Sequence, residues 1–428
     1  MEHYEKYKNS NIEWLGLIPD SWSLKRAKDI AHITRGAILR PVDDPNYFDD
    51  KGQWLYLNIS DVTGGNKYLY DAKLRLSKLG STRSARVYAN NVIITASATI
   101  GIPFINKVNV CIHDGFIPFT KSKLNIEFLF YYLMNENIYS ALGKSNTQKN
   151  IYLDEAKNIA FAFPPLTEQI QIATFLDTKT QAIDKKINLL TTKIEYYKEL
   201  RKTIINNAVT KGLDKNAILK ESEFNIPTHW HIKRVKDVYK TYTGNSIPDR
   251  GLYEIKENSR FYISTKDIDF DTGLINYDNG TYIQITDKEF KIAYKNSTLI
   301  CLEGASAGNK IGFTTADICF VNKLCCVRGN ENRINNKYFY YFTLSEAFKQ
   351  QFFGVLNGMI GGVSMNLLKN FNIVQPPKEE QAEIAIYLDA KTSTIDKITT
   401  NLQTQINILK ELRKTLINDV VTGKIKVN

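Results

Sequence analysis

The chain has 428 residues, of which 43% are hydrophobic and 24% charged, with a formal net charge of +11 and a sequence pI of 9.1. No stretch approaches the roughly 18 apolar residues of a membrane helix and no signal peptide opens the chain, so a membrane or exported protein is not expected. The positive excess favours a polyanionic partner, nucleic acid first, and five cysteines without metal-ligand spacing suit a reduced, cytoplasmic setting.

Residues 1–163 form the first expected globular domain. It opens with "IPDSWSLKRAKDI" at Ile18–Ile30 and continues with turn pairs such as Gly64–Gly65 and short apolar runs such as "NVIITA". This pattern reads as mixed α/β with many short strands. At about 150 residues the segment is long enough to bury its own core. The stretch Ala72–Arg86 holds Lys73, Arg75, Lys78, Arg83 and Arg86 with no acid, which suits either a phosphate track or a solvated helix face.

Residues 164–212 read as one long helix. Pro164–Pro165 block helix upstream, Gly212 suits the stop, and no proline or glycine interrupts between. Leu176, Ile183, Leu190, Tyr197 and Ile204 fall seven apart, with Ile187 and Ile194 between them. Five heptads of apolar seam argue for a coiled coil rather than a helix lying on a globular core. At about 1.5 Å per residue the helix is about 65 Å long.

The order then repeats. Residues 213–375 form a second globular domain that opens with "IPTHWHIKRVKDV" at Ile226–Val238, and residues 376–428 form a second long helix between Pro376–Pro377 and Gly423. Its seam is Leu388, Ile395, Leu402, Leu409 and Leu416, with Ile406 between. "KELRKT" occurs at Lys198–Thr203 and again at Lys410–Thr415, and more than half the positions around it match without a gap. A repeat of this size sets the architecture. The expected fold class is α+β: two mixed α/β domains separated by two long helices that form an antiparallel coiled coil, with an internal pseudo-two-fold repeat.

No catalytic constellation stands out. "GKS" at Gly143–Ser145 lacks the leading glycine of a phosphate loop. "FPPL" and "QPPK" lack the Asn or Asp and the aromatic of an adenine-methyltransferase loop. "PDRGLYEIK" at Pro248–Lys256 spaces Asp249 and Glu254 too closely for the usual metal-dependent nuclease, and "HWH" at His229–His231 has no third ligand near it. Neither catalytic nor metal-binding residues are assigned.

"YKNSNIEWLGLIPDSWSLKRAKDI" at Tyr7–Ile30, the helix starts "PPLTEQIQIATFLD" and "PPKEEQAEIAIYLD", and the helix ends "LRKTIINNAVTKG" and "LRKTLINDVVTGK" together resemble the DNA-specificity subunit of type I restriction-modification systems. The resemblance spans nearly the whole chain; the second-half opening "ESEFNIPTHW" departs by lacking the Trp-Leu-Gly of the first. It implies that each globular unit is a target-recognition domain reading one half of a bipartite, asymmetric site in double-stranded DNA. The helices would set the unread spacer and dock two methyltransferase subunits. A restriction-translocase subunit would complete the complex. S-adenosylmethionine, ATP and Mg would sit on those partners, with no cofactor on this chain.

Equivalent loops are the candidate DNA contacts. "TRGAILR" offers Thr34, Arg35 and Arg40, and "TGNSIPDR" offers Thr243, Asn245 and Arg250. "GKSNTQKN" offers Lys144, Asn146, Gln148 and Lys149, and "LNGMIGG" offers Asn357, residue types that pair with base edges. Lys25, Arg26, Lys233 and Arg234 recur in both halves and are assigned to structure or backbone contact. The competing reading is a non-catalytic coiled-coil scaffold whose globular heads bind proteins; a free-standing nuclease is more distant.

Overall fold

The computed structural model describes residues 2–42, 44–140, 150–356 and 361–427. The chain divides into two compact units: Met1–Leu189 with Gln405–Asn428, and Leu190–Thr404. Each unit therefore holds one globular domain and a segment of each long helix. The helices run unbroken over Leu166–Lys211 and Lys378–Val421, and Gly212 and Gly423 follow them at φ +79° and +75°, where a side chain would be strained.

In the first unit, a five-stranded sheet takes the order His32–Ile33, Phe116–Thr120, Asn91–Thr95, Pro103–Asn106, Tyr68–Leu69. A four-stranded sheet takes the order Leu74–Leu76, Trp54–Leu57, Val110–Ile112, Ala85–Val87. The domain begins and ends in one ribbon, with Ser23–Arg26 antiparallel to Ala160–Phe163. That ribbon delivers the chain straight to the helix start. In the second unit the sheets run Tyr239–Thr243, Leu324–Gly329, Thr298–Cys301, Ile311–Phe313 and Tyr282–Gln284, Ser259–Ile263, Ile318–Phe320, Ile292–Ala293. Its ribbon pairs His231–Arg234 with Asn372–Gln375.

The Pro-Pro-x-x-Glu-Gln helix start works as a socket, built twice. In the first unit the buried Gln169 donates Nε2 to Pro164 O at 2.8 Å, and its Oε1 accepts from the backbone of Asn125 at 2.7 Å. Asn125 in turn caps the short helix Ile126–Leu133. That helix returns Tyr131 to the long helix, where its hydroxyl donates to Asp177 at 2.6 Å and lies 3.1 Å from Thr180 Oγ1. Glu168 accepts from the indole of the fully buried Trp22 at 2.9 Å and from the Tyr4 hydroxyl. The second unit repeats these links except that of Tyr4: Gln381 with Pro376 and Asn335, Tyr341 with Asp389 and Thr392, and Trp230 Nε1 with Glu380 at 2.9 Å. His229 lies 2.8 Å from the other Glu380 oxygen, so the "HWH" segment serves this carboxylate.

One element of the socket changes sign between units. In the first, Lys67 reaches from the sheet lobe to Glu127 at 2.5 Å and to Asp177. Burial works against its charge, but hydrogen bonds to the two carboxylates outweigh that and raise its pKa. In the second, the helix position equivalent to Glu127 is Lys337, which pairs with Asp389 at 2.8 Å.

Within each unit the two helical segments run antiparallel. In the second, Arg201 donates Nε to Asp396 at 3.1 Å, while Ile205 and Val209 share a core with Ile384 and Leu388. In the first, Arg413 Nε lies 3.0 Å from Asp184, and Leu176 shares a core with Leu416, Ile417 and Val420. The two ion pairs are one pair repeated 212 positions on, and their arginines belong to the two copies of KELRKT. Of the expected seam, Leu176, Leu388, Ile395, Leu402 and Leu416 are buried, while Ile183, Leu190, Tyr197, Ile204 and Leu409 are half-buried. Thr180 and Thr392 fill buried seam positions one turn after Leu176 and Leu388, each donating back to the helix carbonyl four residues earlier.

Two outcomes test this framework. Replacing Glu380 by Leu strands the Trp230 indole in the core, and chemical denaturation should show a loss of about 1–3 kcal/mol; Glu379→Ala, on the exposed face, should cost about 0.5 kcal/mol or less. Asp396→Arg sets two guanidinium groups together, and adding Arg201→Asp should restore about 1–2 kcal/mol in a double-mutant cycle. Additive single effects would mean the pair contributes nothing.

Candidate nucleic-acid interface

Within each globular domain, the loops that carry the candidate contacts gather at one end of a sheet. In the first, the strand ending at Ile33 leads into Thr34–Gly36, the strand ending at Thr95 leads into Ala96–Ile102, and His113–Gly115 precede the strand starting at Phe116. They are laced together: Gly36 N donates to Phe116 O at 3.1 Å, Ala96 N to Gly115 O at 2.7 Å, and Gly115 N to His113 Nδ1 at 2.9 Å. In the second domain the matching segments are Gly244–Asn245, the turn between the strands ending at Cys301 and starting at Ile311, and Val321–Lys323. Asn245 N donates to Phe320 O at 2.9 Å.

The glycines of the two candidate loops are consumed by the fold. A Cβ on Gly36 would stand 1.8 Å from His113 O, and one on Gly244 would stand 1.8 Å from Phe320 O. Only a bare backbone passes so close to a neighbouring strand. The space for a ligand at these loops must come from their neighbours.

The side chains fall into two groups. Arg35 is half-buried and donates Nε to Asp114 O at 2.8 Å. Arg250 donates to Ser264 Oγ at 2.8 Å and lies 3.9 Å from the buried Asp267. Asn245 accepts from Lys291 N at 2.9 Å and donates to Glu289 O at 3.3 Å, so it holds the 289–291 segment in place. Thr34 and Thr243 are half-buried, Thr243 within a strand paired to Cys325. Arg40 is exposed and has no side-chain hydrogen bond or ion pair among the described residues. Lys144, Asn146, Gln148, Lys149 and Asn357 lie outside the described residues. The residues just after those two stretches join the same loop cluster: Ile151 N donates to Ala96 O at 2.9 Å, and Gly304 N donates to Gly361 O at 3.2 Å.

Sequence reasoning missed the turns "ASATIG" at Ala96–Gly101 and "GASAG" at Gly304–Gly308. The signal was available, since each is a run rich in small residues within three positions of the end of an apolar strand. Gly101 and Gly308 both have positive φ, and a Cβ there would strike the ring of Tyr139 or Phe352 at 2.6 and 2.5 Å. The basic run Ala72–Arg86 is not one helix face. It covers a strand, the short helix Lys78–Arg83 and another strand. Its arginines are engaged within the domain: Arg75 with Asp71, Arg83 with the Tyr47 hydroxyl, and Arg86 with Ser81 and over the Trp54 ring at 5.0 Å. Lys73 and Lys78 are exposed.

Burial pushes the thiols of Cys111 and Cys319 up to about 11 and that of Cys325 to about 12, so these cysteines carry no thiolate at neutral pH. Among the described residues no group of three or more His, Cys, Asp or Glu side chains is placed to hold a metal ion. Asp249 accepts from Gly251 N at 3.0 Å as the cap of a short turn. No described helix is long and apolar enough to cross a membrane.

Comparison with known proteins agrees with this architecture. The chain is 23% identical over 449 aligned positions to a putative type I restriction enzyme MjaX specificity subunit of Methanocaldococcus jannaschii, covering 98% of each chain. It is 24% identical to the EcoBI specificity subunit of Escherichia coli, covering 97% of this chain and 88% of that one. Among solved structures, a chain from work on complex assembly and conformational transition of the type I R-M system matches with a TM-score of 0.75 at 16% identity, covering 95% of this chain and 99% of that one. The HsdS subunit from Thermoanaerobacter tengcongensis matches with a TM-score of 0.52 at 17% identity, covering 95% and 98%. The model of the type I restriction modification DNA specificity domain matches twice, over residues 19–196 and 227–408, one match to each repeat built on the Trp-Glu-Gln socket, and the chain therefore belongs to the type I restriction-modification specificity family.

Proposed function

We propose that the chain is the non-catalytic specificity subunit of a cytoplasmic type I complex. Each globular domain reads one half of a bipartite, asymmetric site in double-stranded DNA. Helix length sets the unread spacer between the half-sites, and the helices dock the adenine-N6 methyltransferase subunits together with a restriction-translocase subunit. The observation that carries this reading is the contrast between what is repeated and what is not. The socket residues and the Arg–Asp pair recur at equivalent positions, whereas the recognition loops differ. A device meeting the same partner twice is held constant, while two different half-sites require different side chains, because base edges carry the information and phosphates do not.

Apolar side chains on the helices offer the docking faces. In the first unit Leu189, Ile408 and Leu412 are exposed; in the second, Tyr196 and Ile386 are exposed, with Tyr387 beside them. Exposed anchors of this size suit a partner subunit better than solvent. The scaffold alternative uses the same helices, and the two are separated by what the heads bind.

Mapping N6-methyladenine across the host genome, with and without the gene, tests the assignment. Loss of methylation at one bipartite motif is expected, and an unchanged map would favour the scaffold. Deleting one heptad from each helix, residues 191–197 with 403–409, should shorten the unread spacer by about three base pairs while leaving both half-sites the same. An unaltered spacer would remove the ruler from the proposal.

A further inference from the structure

In the second globular domain a cleft of about 960 Å³ runs between the Tyr239–Thr243 strand and the segment that carries the Ile292–Ala293 strand. Both are edge strands of their sheets. Four cations line the cleft, namely Lys236, Lys240, Lys291 and Arg328, and the exposed Tyr294 stands under Arg328, 5.8 Å from guanidinium to ring centre. The acids on its rim are already paired, Asp237 with Arg234 at 3.4 Å and Glu331 with Arg328 at 3.0 Å. Lys236 donates to Asn370 at 2.8 Å. Lys240 and Lys291 are exposed and have no ion pair among the described residues.

A strand register makes this arrangement unusual. Lys240 stands directly opposite Arg328 in the antiparallel pair, and like charges facing each other across a sheet are destabilising. The first domain builds the same strand pair from His32 and Thr120, where the threonine hydroxyl donates to His32 O at 3.0 Å. The fold itself does not require the two cations. Glu331 already holds Arg328, which leaves Lys240 as the cation of this strand pair that an anion would still satisfy.

We propose that this cleft holds the sugar–phosphate backbone of the duplex beside the half-site read by the second domain. Lys240 and Lys291 are the phosphate contacts, with Arg328 and Tyr294 forming the wall. Asn245 is a positioning residue, because it fixes the 289–291 segment through Lys291 N and Glu289 O. The inference rests on the DNA-reading role proposed above and adds a sequence-blind contact to it.

The test uses the assembled methyltransferase complex with a duplex carrying the methylated motif and a scrambled duplex of equal length. For the Lys240→Gln, Lys291→Gln double variant, affinity for both duplexes should fall together, on the order of tenfold. The slope of log affinity against log salt should flatten by about two, at roughly 0.9 for each phosphate no longer neutralised. The methylated motif should stay the same. Asn245→Ala should flatten the slope in the same direction by less, a readout that mere loss of packing would not produce. A changed methylated sequence or a wild-type salt slope would overturn the proposal. So would intact DNA binding accompanied by loss of a partner subunit on purification, which would assign the cleft to protein. Failure of the wild-type complex to prefer its motif would instead overturn the DNA-reading role itself.

Discussion

An arginine set into an apolar helix seam has to find a carboxylate. Arg201 follows Ile194 by one heptad and Arg413 follows Ile406 by one heptad, so both fall in the seam directly after an isoleucine. An all-apolar seam of period seven pairs nearly as well after a slip of seven residues, and antiparallel pairing costs it little more than parallel. Asp396 and Asp184 are the acids brought to those arginines across the seam of each unit, so neither guanidinium is left without a carboxylate. Burying one without a partner costs more than the intact pair contributes. The hexamer occurs twice, and each copy supplies the arginine of one unit's pair.

The socket at each helix start follows the same logic. Glu168 and Glu380 give a buried indole its acceptor, and Gln169 and Gln381 satisfy backbone groups that the turn ahead of a helix leaves open. Each glutamine joins a proline carbonyl behind it to the asparagine that caps the next short helix. That short helix then sends a tyrosine back onto the long one. Globular domain and long helix are thereby joined by one continuous set of hydrogen bonds within each unit.

The long helices were legible in the sequence, because Pro-Pro, Gly and a period of seven are local signals. Thr180, Thr392, Arg201 and Arg413 were not legible as seam residues, since hydrophobic periodicity sees polar side chains as gaps even where their hydrogen bonds are satisfied. Trp22 and Trp230 were visible as repeated letters, but their carboxylate partners lie some 150 positions away. The candidate interface was legible only as a set of loops. Gly36 and Gly244 lie in the candidate loops for a reason that concerns backbone clearance. Asn245 carried a base-pairing side chain that the fold uses internally. Lys240 and Lys291 are ordinary surface lysines in the sequence, and only strand register and a shared cleft set them apart.

Lys67 and Lys337 show how tightly each domain's parts are matched to one another. The first domain supplies its lysine from the sheet lobe and a glutamate from the short helix; the second supplies the lysine from the short helix itself. Joining the lobe of the first to the short helix of the second would bring two ammonium groups to one aspartate. The reverse join would leave a carboxylate pair with no cation. Gene exchange that breaks inside a domain is therefore penalised by electrostatics. Exchange that breaks at the two-stranded ribbon, where the chain enters and leaves side by side, carries a whole charge set across intact, so the complete domain is the unit that moves without this cost.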